Sequence, residues 1–432
     1  MQFFGTSGMR RVADRDLVEL SLKAGLAVGN VYGDVVVGCD TRTSSEAVKY
    51  AFISGLLTAG SRCCDAGVVP TPTLALAAKE LQAGAMITAS HNPPEYNGIK
   101  LVNPDGSAFD SNQQEHIESM ILSDSLSVAS WQEIKGSSIL NGAVEKHIEH
   151  ILQDFHSESK LKVVVDCGCG AASVITPYLL KRLGCEVVAL NCYPSGFFPH
   201  SAEPTQVNLE ELMKTTVELG ADLGIAHDGD ADRMMAVDDK GRFISGDKLM
   251  VLFAKQARAK KIVTTIDASM VIDEMGFSVT RTSVGDNYVS EELKKGGDFG
   301  GEPSGAWVFP KSSLCPDGIY AAAQLVAIAE RHKLSSLVDG IPGYPILRGS
   351  LAGKMVAIPD LQRRLFAMGA LSASNADGIK LNFEDGWLLI RASGTEPKIR
   401  VTAEAKTEAR VHQLYNSGVK VIKECLKRGK EK

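Results

Sequence analysis

The chain has no apolar run of the ~18 residues that a membrane-spanning helix needs. Its opening, Met1-Gln2-Phe3-Phe4, carries neither the basic stretch nor the apolar core of a signal peptide. Both absences lead to the expectation of a cytoplasmic protein. An excess of positive charge is missing too: 46 Lys and Arg against 52 Asp and Glu give a net charge of -6. With a pI near 5.9, that excludes an electrostatic footprint for nucleic acid, and the basic tail 427–432 reads as a solvated helix end. Metal-type cysteine spacing is lacking as well. The nine cysteines are odd in number, Cys63 and Cys64 are adjacent, and Cys167-Gly168-Cys169 has no second pair at zinc spacing. They read as reduced thiols.

What is present is an ordinary globular balance. The 44% hydrophobic content of 432 residues builds real cores, at about three domains of ~150 residues or four smaller ones. Short β-rich runs alternate with helical stretches: 35–39 before a helix through Tyr50, 163–166 before one through Leu183, and a third run at 262–266. This predicts βαβ units around mixed or largely parallel sheets. Val35-Val36-Val37-Gly38-Cys39-Asp40 and Val163-Val164-Val165-Asp166-Cys167-Gly168 hint at an internal repeat. The polar stretch 123–138 reads as a late loop of the first domain, and Gly340 to Gly343, with Pro342 between the glycines, as a hinge.

Four loops carry chemistry. In Ile87-Thr88-Ala89-Ser90-His91-Asn92-Pro93-Pro94, a serine follows an apolar segment and precedes a turn that packing does not require. Alone, Ser90 would more often cap a turn. Asp228-Gly229-Asp230-Ala231-Asp232-Arg233 sets three carboxylates at alternate positions, suited to a hard divalent cation. An EF-hand is excluded, because its sixth and twelfth positions would be Arg233 and Asp239 instead of Gly and Glu. Gly300-Gly301-Glu302-Pro303-Ser304-Gly305 offers a carboxylate and a hydroxyl for sugar hydroxyls on a backbone that permits close approach. Arg391-Ala392-Ser393-Gly394-Thr395-Glu396-Pro397-Lys398 brings a guanidinium, hydroxyls and a Gly amide together, a cradle for a phosphate dianion.

In this order, and together with Phe4-Gly5-Thr6-Ser7-Gly8-Met9-Arg10 at the start, the loops resemble the signatures of the alpha-D-phosphohexomutase superfamily. The resemblance implies three similar α/β domains with mixed sheets plus a smaller C-terminal α+β domain, with the active site in the central cleft. The expected boundaries are 1–150 with the phosphoserine loop, 151–250 with the metal loop, 251–346 with the sugar loop and 347–432 with the phosphate loop. It implies Ser90 as the phosphoserine, Mg2+ held by Asp228, Asp230, Asp232 and a phosphoserine oxygen, and a bisphosphorylated hexose as primer and intermediate. Glu302 and Ser304 would hold sugar hydroxyls. Arg391, Ser393, Gly394 and Thr395 would grip the phosphate that is not transferred, with Lys398 beside them.

Transfer through a loose, in-line transition state asks the protein for positioning and charge neutralisation. Lys100, Arg10 and Arg233 supply positive charge, and Lys100 or His91 is the candidate proton carrier. Ala306 and Trp307 stand where superfamily members often have a His, and Asn287 where they often have a basic residue. The Ser-Gly-Thr-Glu-Pro loop and the Gly-Thr-Ser-Gly opening resemble phosphoglucosamine mutases and their archaeal-type relatives, so conversion of glucosamine 6-phosphate to glucosamine 1-phosphate is expected. A phosphomannomutase or phosphoglucomutase is the nearest alternative, with a metal-dependent phosphatase and a non-catalytic sugar-phosphate sensor behind it. The expected partner is a hexose phosphate, with neither nucleic acid nor membrane, and a homo-oligomer is compatible with the sequence.

Overall fold

The computed structural model describes residues 3–5, 8–123, 126–155, 160–353, 358–366, 368–392 and 398–428. It divides into two compact units, one of residues 1–260 and 285–340 and the other of residues 261–284 and 341–432. Among the described residues no helix is long and apolar enough to cross a membrane.

The first unit is built on two mixed sheets. One has seven strands in the order Phe4–Gly5, Gly8–Val12, Tyr96–Val102, Ala83–Ile87, Asp34–Cys39, Arg62–Val68 and Ser137–Ile139. Its centre and one side are parallel: Asp34–Cys39 pairs in parallel with both Arg62–Val68 and Ala83–Ile87. Beyond Ala83–Ile87 the sheet turns antiparallel. The other has five strands, Phe243–Ile244, Met234–Val237, Leu223–His227, Lys162–Asp166 and Glu186–Leu190, the last three parallel. The β-rich runs 35–39 and 163–166 form strands whose three valines are fully buried, as expected where both faces of a parallel sheet are covered, and Asp166 ends the second as a buried carboxylate. Loops leaving the carboxyl ends of such strands are the usual place for ligands, and Asp40, Cys167 and Asp228 all follow directly on such ends.

Trp307 is fully buried in this unit. Its ring lies 5.3 Å from Phe253 and its indole N–H donates to the Met234 carbonyl at 2.7 Å. That satisfied polar tip makes it an anchor for the short hairpin Phe299–Gly301 and Trp307–Val308, which carries Glu302 and Ser304.

The second unit has a five-stranded antiparallel sheet in the order Ile346–Ala352, Lys398–Ala405, Gly386–Ala392, Ile379–Phe383 and Ser372–Ser374. Its core runs from Leu361 and Leu365 through Ile379, Leu381, Leu388, Ile390, Ile399 and Val401 to Val411, Leu414 and Ile422 of the helix Glu408–Arg428. Alternation along Lys398–Ala405 puts Ile399, Val401 and Ala403 on the core side, the period of a half-buried strand. Lys261–Thr265 and Ser278–Thr282 form a parallel pair in the same unit.

Candidate active site

Ser90 closes the turn after the strand Ala83–Ile87 with φ +52°, a left-handed backbone that a non-glycine residue keeps only where its surroundings enforce it. The enforcing groups are a buried relay. Ser90 N–H donates to Thr88 Oγ1 at 2.8 Å, and that hydroxyl donates to Asp40 Oδ2 at 2.7 Å. Arg42, bonded through Nε to Asp40 at 3.0 Å, spends its remaining donors on backbone carbonyls: Ser90 at 2.7 Å, Asn92 at 2.8 Å, Pro93 at 2.7 Å and Tyr96 at 3.0 Å. Both side chains of this ion pair are fully buried. The motifs did not single out Asp40 or Arg42. The available signal was their place, two charged residues on the carboxyl end of a parallel strand.

The serine hydroxyl points at the aspartate loop, donating to Asp228 Oδ2 at 2.6 Å across 138 residues of chain. The loop follows the strand Leu223–His227 and reaches the serine turn because Gly229 has no side chain: a Cβ there would lie 2.6 Å from the Ser90 carbonyl oxygen. Thr71 fixes the loop further, its N–H donating to the Asp230 carbonyl at 2.9 Å and its hydroxyl to Asp230 Oδ2 at 2.6 Å.

Asp228, Asp230 and Asp232 are all buried, with carboxylate oxygens within 4.8 Å of one another. Lys100 is the cation among them, its ammonium donating to Asp230 Oδ2 at 2.7 Å and Asp232 Oδ2 at 2.6 Å. Burial opposes the Lys100 charge, but Asp230 and Asp232 outweigh it and hold the proton on. Burial and the two neighbouring carboxylates push Asp228 well above the usual carboxylate range. Even with the Lys100 ammonium and the Arg233 guanidinium nearby, Asp228 is left short of positive charge. Asp230 Oδ1 and Asp232 Oδ1 are buried without a hydrogen-bond partner. An all-oxygen set with two idle lone-pair donors fits a hard divalent cation.

The remaining predicted groups of this unit gather around the cluster. His91 Nδ1 lies 3.3 Å from Ser90 Oγ. The field of Arg233, with burial and the charges of Arg10 and Lys100, drives the imidazole pKa down to about 2, so the ring is neutral. Arg10 donates to Asn92 Oδ1 at 3.1 Å and keeps a buried, unpartnered Nε–H. Arg233 keeps its charge against burial through Asp228 and Asp232, and its backbone bridges to Ala306. That bridge brings the sugar-type loop to the end of the aspartate loop. Glu302 there is buried, accepting from Gly285 N–H at 2.8 Å and from Ser304 Oγ at 3.1 Å. Asn287 lines a cavity of about 30 Å³ with Lys100, Thr71 and Asp232, room for about one water.

In the second unit, Arg391 is the last residue but one of the strand Gly386–Ala392 and pairs with Asp377 at 3.2 Å, and Lys398 opens the strand Lys398–Ala405 with its side chain exposed. Ser393, Gly394 and Thr395 lie outside the described residues, as do Thr6 and Ser7.

Comparison with known proteins gives this constellation a lineage. The phosphoglucomutase/phosphomannomutase family matches along the chain: its alpha/beta/alpha domain I at residues 1–127, domain II at 145–241, domain III at 245–344 and its C-terminal domain at 352–417. A Methanocella arvoryzae protein named "Probable phosphoglucosamine mutase" is 47% identical over 435 residues, covering 99% of both chains. A Pyrococcus furiosus protein of the same name is 41% identical over 450 residues, again with 99% of both covered. Among solved structures, a phosphoglucomutase/phosphomannomutase family protein from Burkholderia thailandensis superposes with a TM-score of 0.86 at 28% identity, over 97% of each chain. With four consecutive family domains and full-length relatives above 40% identity, the chain belongs to the phosphoglucomutase/phosphomannomutase family, the alpha-D-phosphohexomutases.

Proposed function

We propose that this phosphohexomutase is a Mg2+-dependent phosphoglucosamine mutase, interconverting glucosamine 6-phosphate and glucosamine 1-phosphate through a phosphoserine at Ser90 and a bisphosphorylated sugar. The observation that carries the reading is the Ser90 hydroxyl on Asp228 at 2.6 Å, beside two carboxylates whose outer oxygens are buried and idle. A seryl phosphate adds about 1.5 to 2 negative charges to three carboxylates, a combination that stands only with a multivalent cation among them. Mg2+, when bound by Asp228, Asp230, Asp232 and a phosphoserine oxygen, supplies that charge and polarises the phosphoryl group.

The phosphoryl group leaves Ser90 Oγ as its P–O bond breaks and a bond forms to the free sugar hydroxyl, giving the bisphosphate. The second half returns the other phosphate to Ser90. The attacking hydroxyl gives up a proton, and the same proton is returned to the leaving oxygen in reverse, so one group must work in both directions. Lys100 holds that role here, starting as the ammonium: it gives a proton to the leaving oxygen and recovers one from the attacking hydroxyl, with His91 as the second candidate. Arg10 and Arg233 offset charge on the moving group. Glu302 and Ser304 read sugar hydroxyls. Arg391, Lys398 and the segment 393–397 between them recognise the second phosphate through charge and backbone amides.

The choice of glucosamine rests on the archaeal relatives named phosphoglucosamine mutases and on the phosphate-loop and opening motifs. The test is a side-by-side assay on glucosamine 6-phosphate, glucose 1-phosphate and mannose 1-phosphate, with Mg2+ and a bisphosphate primer, run on the wild type and Ser90→Ala. Preference for the amino sugar, with turnover in Ser90→Ala reduced by about 10³-fold or more as for loss of a covalent nucleophile, supports the reading. Preference for mannose or glucose phosphate overturns the sugar, and near-normal turnover in Ser90→Ala overturns the mechanism.

A further inference from the structure

We infer that Cys167 and Cys192 form a reversible disulfide in this protein, a redox modification site standing directly behind the aspartate loop. The two sulfurs are already 3.2 Å apart, and the backbone around them is held in register. Cys167 follows the strand Lys162–Asp166, and Cys192 lies two residues past its parallel neighbour Glu186–Leu190, where Asp166 stands opposite Leu190. Cys167 N–H donates to the Leu190 carbonyl at 3.2 Å and Cys169 N–H to the Asn191 carbonyl at 2.7 Å. A single carboxylate oxygen, Asp166 Oδ1, accepts from both flanks, from Gly168 N–H at 2.9 Å and from Asn191 Nδ2 at 3.1 Å. Two thiols clamped in this way need to close only about 1 Å to reach a disulfide length of ~2.05 Å.

The pair is asymmetric, as a dithiol that exchanges with an external disulfide requires. Cys167 is fully buried, whereas Cys192 is partly exposed at the root of a segment whose Tyr193 and Phe197 are 74% and 75% exposed. Cys192 is thus the sulfur an oxidant meets first, and Cys167 is the one that resolves. The thiol electrostatics agree: the hydrogen bond with Cys167 holds Cys192 below the ordinary thiol range, and burial pushes Cys167 above it. With a low-molecular-weight disulfide as oxidant, the Cys192 thiolate attacks one of its sulfurs, the S–S bond breaks, and one small thiol departs with the electron pair and takes up a proton. Cys167 then loses its proton and attacks the Cys192 sulfur, releasing the second small thiol. Two protein thiols are oxidised and one external disulfide is reduced to two thiols.

The consequence reaches the metal loop through a short backbone path. Gly170 N–H donates to the Cys167 carbonyl at 2.7 Å, and Ala171 N–H donates to the Gly229 carbonyl at 2.9 Å. Contact there is so close that a Cβ on Gly170 would lie 2.8 Å from that same oxygen. Gly229 sits between Asp228 and Asp230, so drawing Cys167 toward Cys192 strains the segment that seats two of the three carboxylates.

The experiment treats the intact chain with oxidised glutathione, then maps its peptides without reduction and measures turnover and the Mg2+-induced rise in melting temperature. The expected result is a 167–192 crosslink lacking two hydrogens. Turnover should drop about tenfold or more, in line with the cost of a misplacement near 1 Å, the Mg2+-induced rise should shrink, and dithiothreitol should reverse all three. Cys192→Ser should keep full turnover and ignore the oxidant. Glutathione captured only at Cys64 or Cys169 while the 167–192 pair stays reduced would overturn the site, and a crosslink with unchanged turnover and metal response would overturn its effect. The crosslink is read by mass, so its outcome stands apart from whether the chain turns over any particular sugar phosphate.

Discussion

A guanidinium has five N–H donors, and in Arg42 all five are used, one on Asp40 and four on the carbonyls of residues 90, 92, 93 and 96. No other side chain presents that fork. Lysine has three donors on a single point, so Arg42→Lys must leave two or more of these five acceptors without their donor, at about 1–3 kcal/mol for each that is buried. The expected result is a protein destabilised by about 2–4 kcal/mol in denaturant unfolding and a kcat lower by about 10- to 100-fold from misplacement of Ser90. KM should change little, because Arg42 meets no substrate; a large rise in KM with kcat preserved would refute the positioning role. Lys100 presents the opposite case, where charge and proton transfer can be separated. Lys100→Arg keeps a cation for Asp230 and Asp232 but carries a group that does not deprotonate in proteins. If Lys100 moves the proton, kcat falls by about 10²–10⁴-fold while Mg2+ titration still reaches saturation. If Lys100→Arg retains turnover, the proton carrier is elsewhere, with His91 next in line.

At the scale of elements, the site is two strand-end turns pressed together, and Gly229 is where they touch. Gly229→Ala would place a methyl 2.6 Å from the Ser90 carbonyl oxygen, forcing the serine turn and the aspartate loop apart. Transfer should fall by about 10²-fold for a displacement near 1 Å. Gly136→Ala is the matched control, since nothing lies within 4 Å of a Cβ there, and it should leave transfer unchanged; equal losses in both variants would mean that a general folding defect is being read. The same pair of turns explains what was legible in the sequence. Serine, aspartates and the Glu302 loop announce themselves as local strings, because chemistry on a loop needs several polar groups within a few residues. Their order implied a family, and with it Ser90 and Asp228 in one site although 138 residues separate them. The Asp40–Arg42 support was not legible in the motifs, since Arg42 spends four of its five donors on backbone carbonyls, and a carbonyl has no letter in the sequence. Nor was the role of Trp307: noted only as the residue after Ala306, where relatives often have a histidine, it is a core anchor bonded to the Met234 carbonyl, a partner that again has no side-chain signature. The strands 35–39 and 163–166 were plain because each opens on three consecutive valines, the apolar run of a strand covered on both faces.

At the scale of the whole chain, each unit has its own core, so thermal unfolding should be followed for each and not assumed to be one two-state event. The second unit carries a titrating marker for its own stability. Lys380 is 4% exposed, with its ammonium donating to the Ile266 carbonyl at 2.6 Å and lying 4.3 Å over the Trp387 ring. Those two contacts replace only part of the lost hydration. Burial, reinforced by the charge of Arg281, brings its pKa down to about 7 from the ordinary 10.5. Between those two values the unfolded chain binds a proton that the folded chain does not, so stability from this group rises with pH across the window and is complete only above the upper value. Below the folded pKa both states are protonated and the full penalty of burying the charge is present. The slope is at most about 1.4 kcal/mol per pH unit for one proton. Lys380→Met removes the proton and keeps most of the apolar stem, so its melting temperature should exceed the wild type's at pH 7 and the gap should narrow toward pH 9. Melting of both proteins at pH 7, 8 and 9, read from the near-ultraviolet signal of Trp387 against a Trp387→Phe background, checks this. A gap that stays constant over that range would mean that Lys380 keeps its proton in the folded chain.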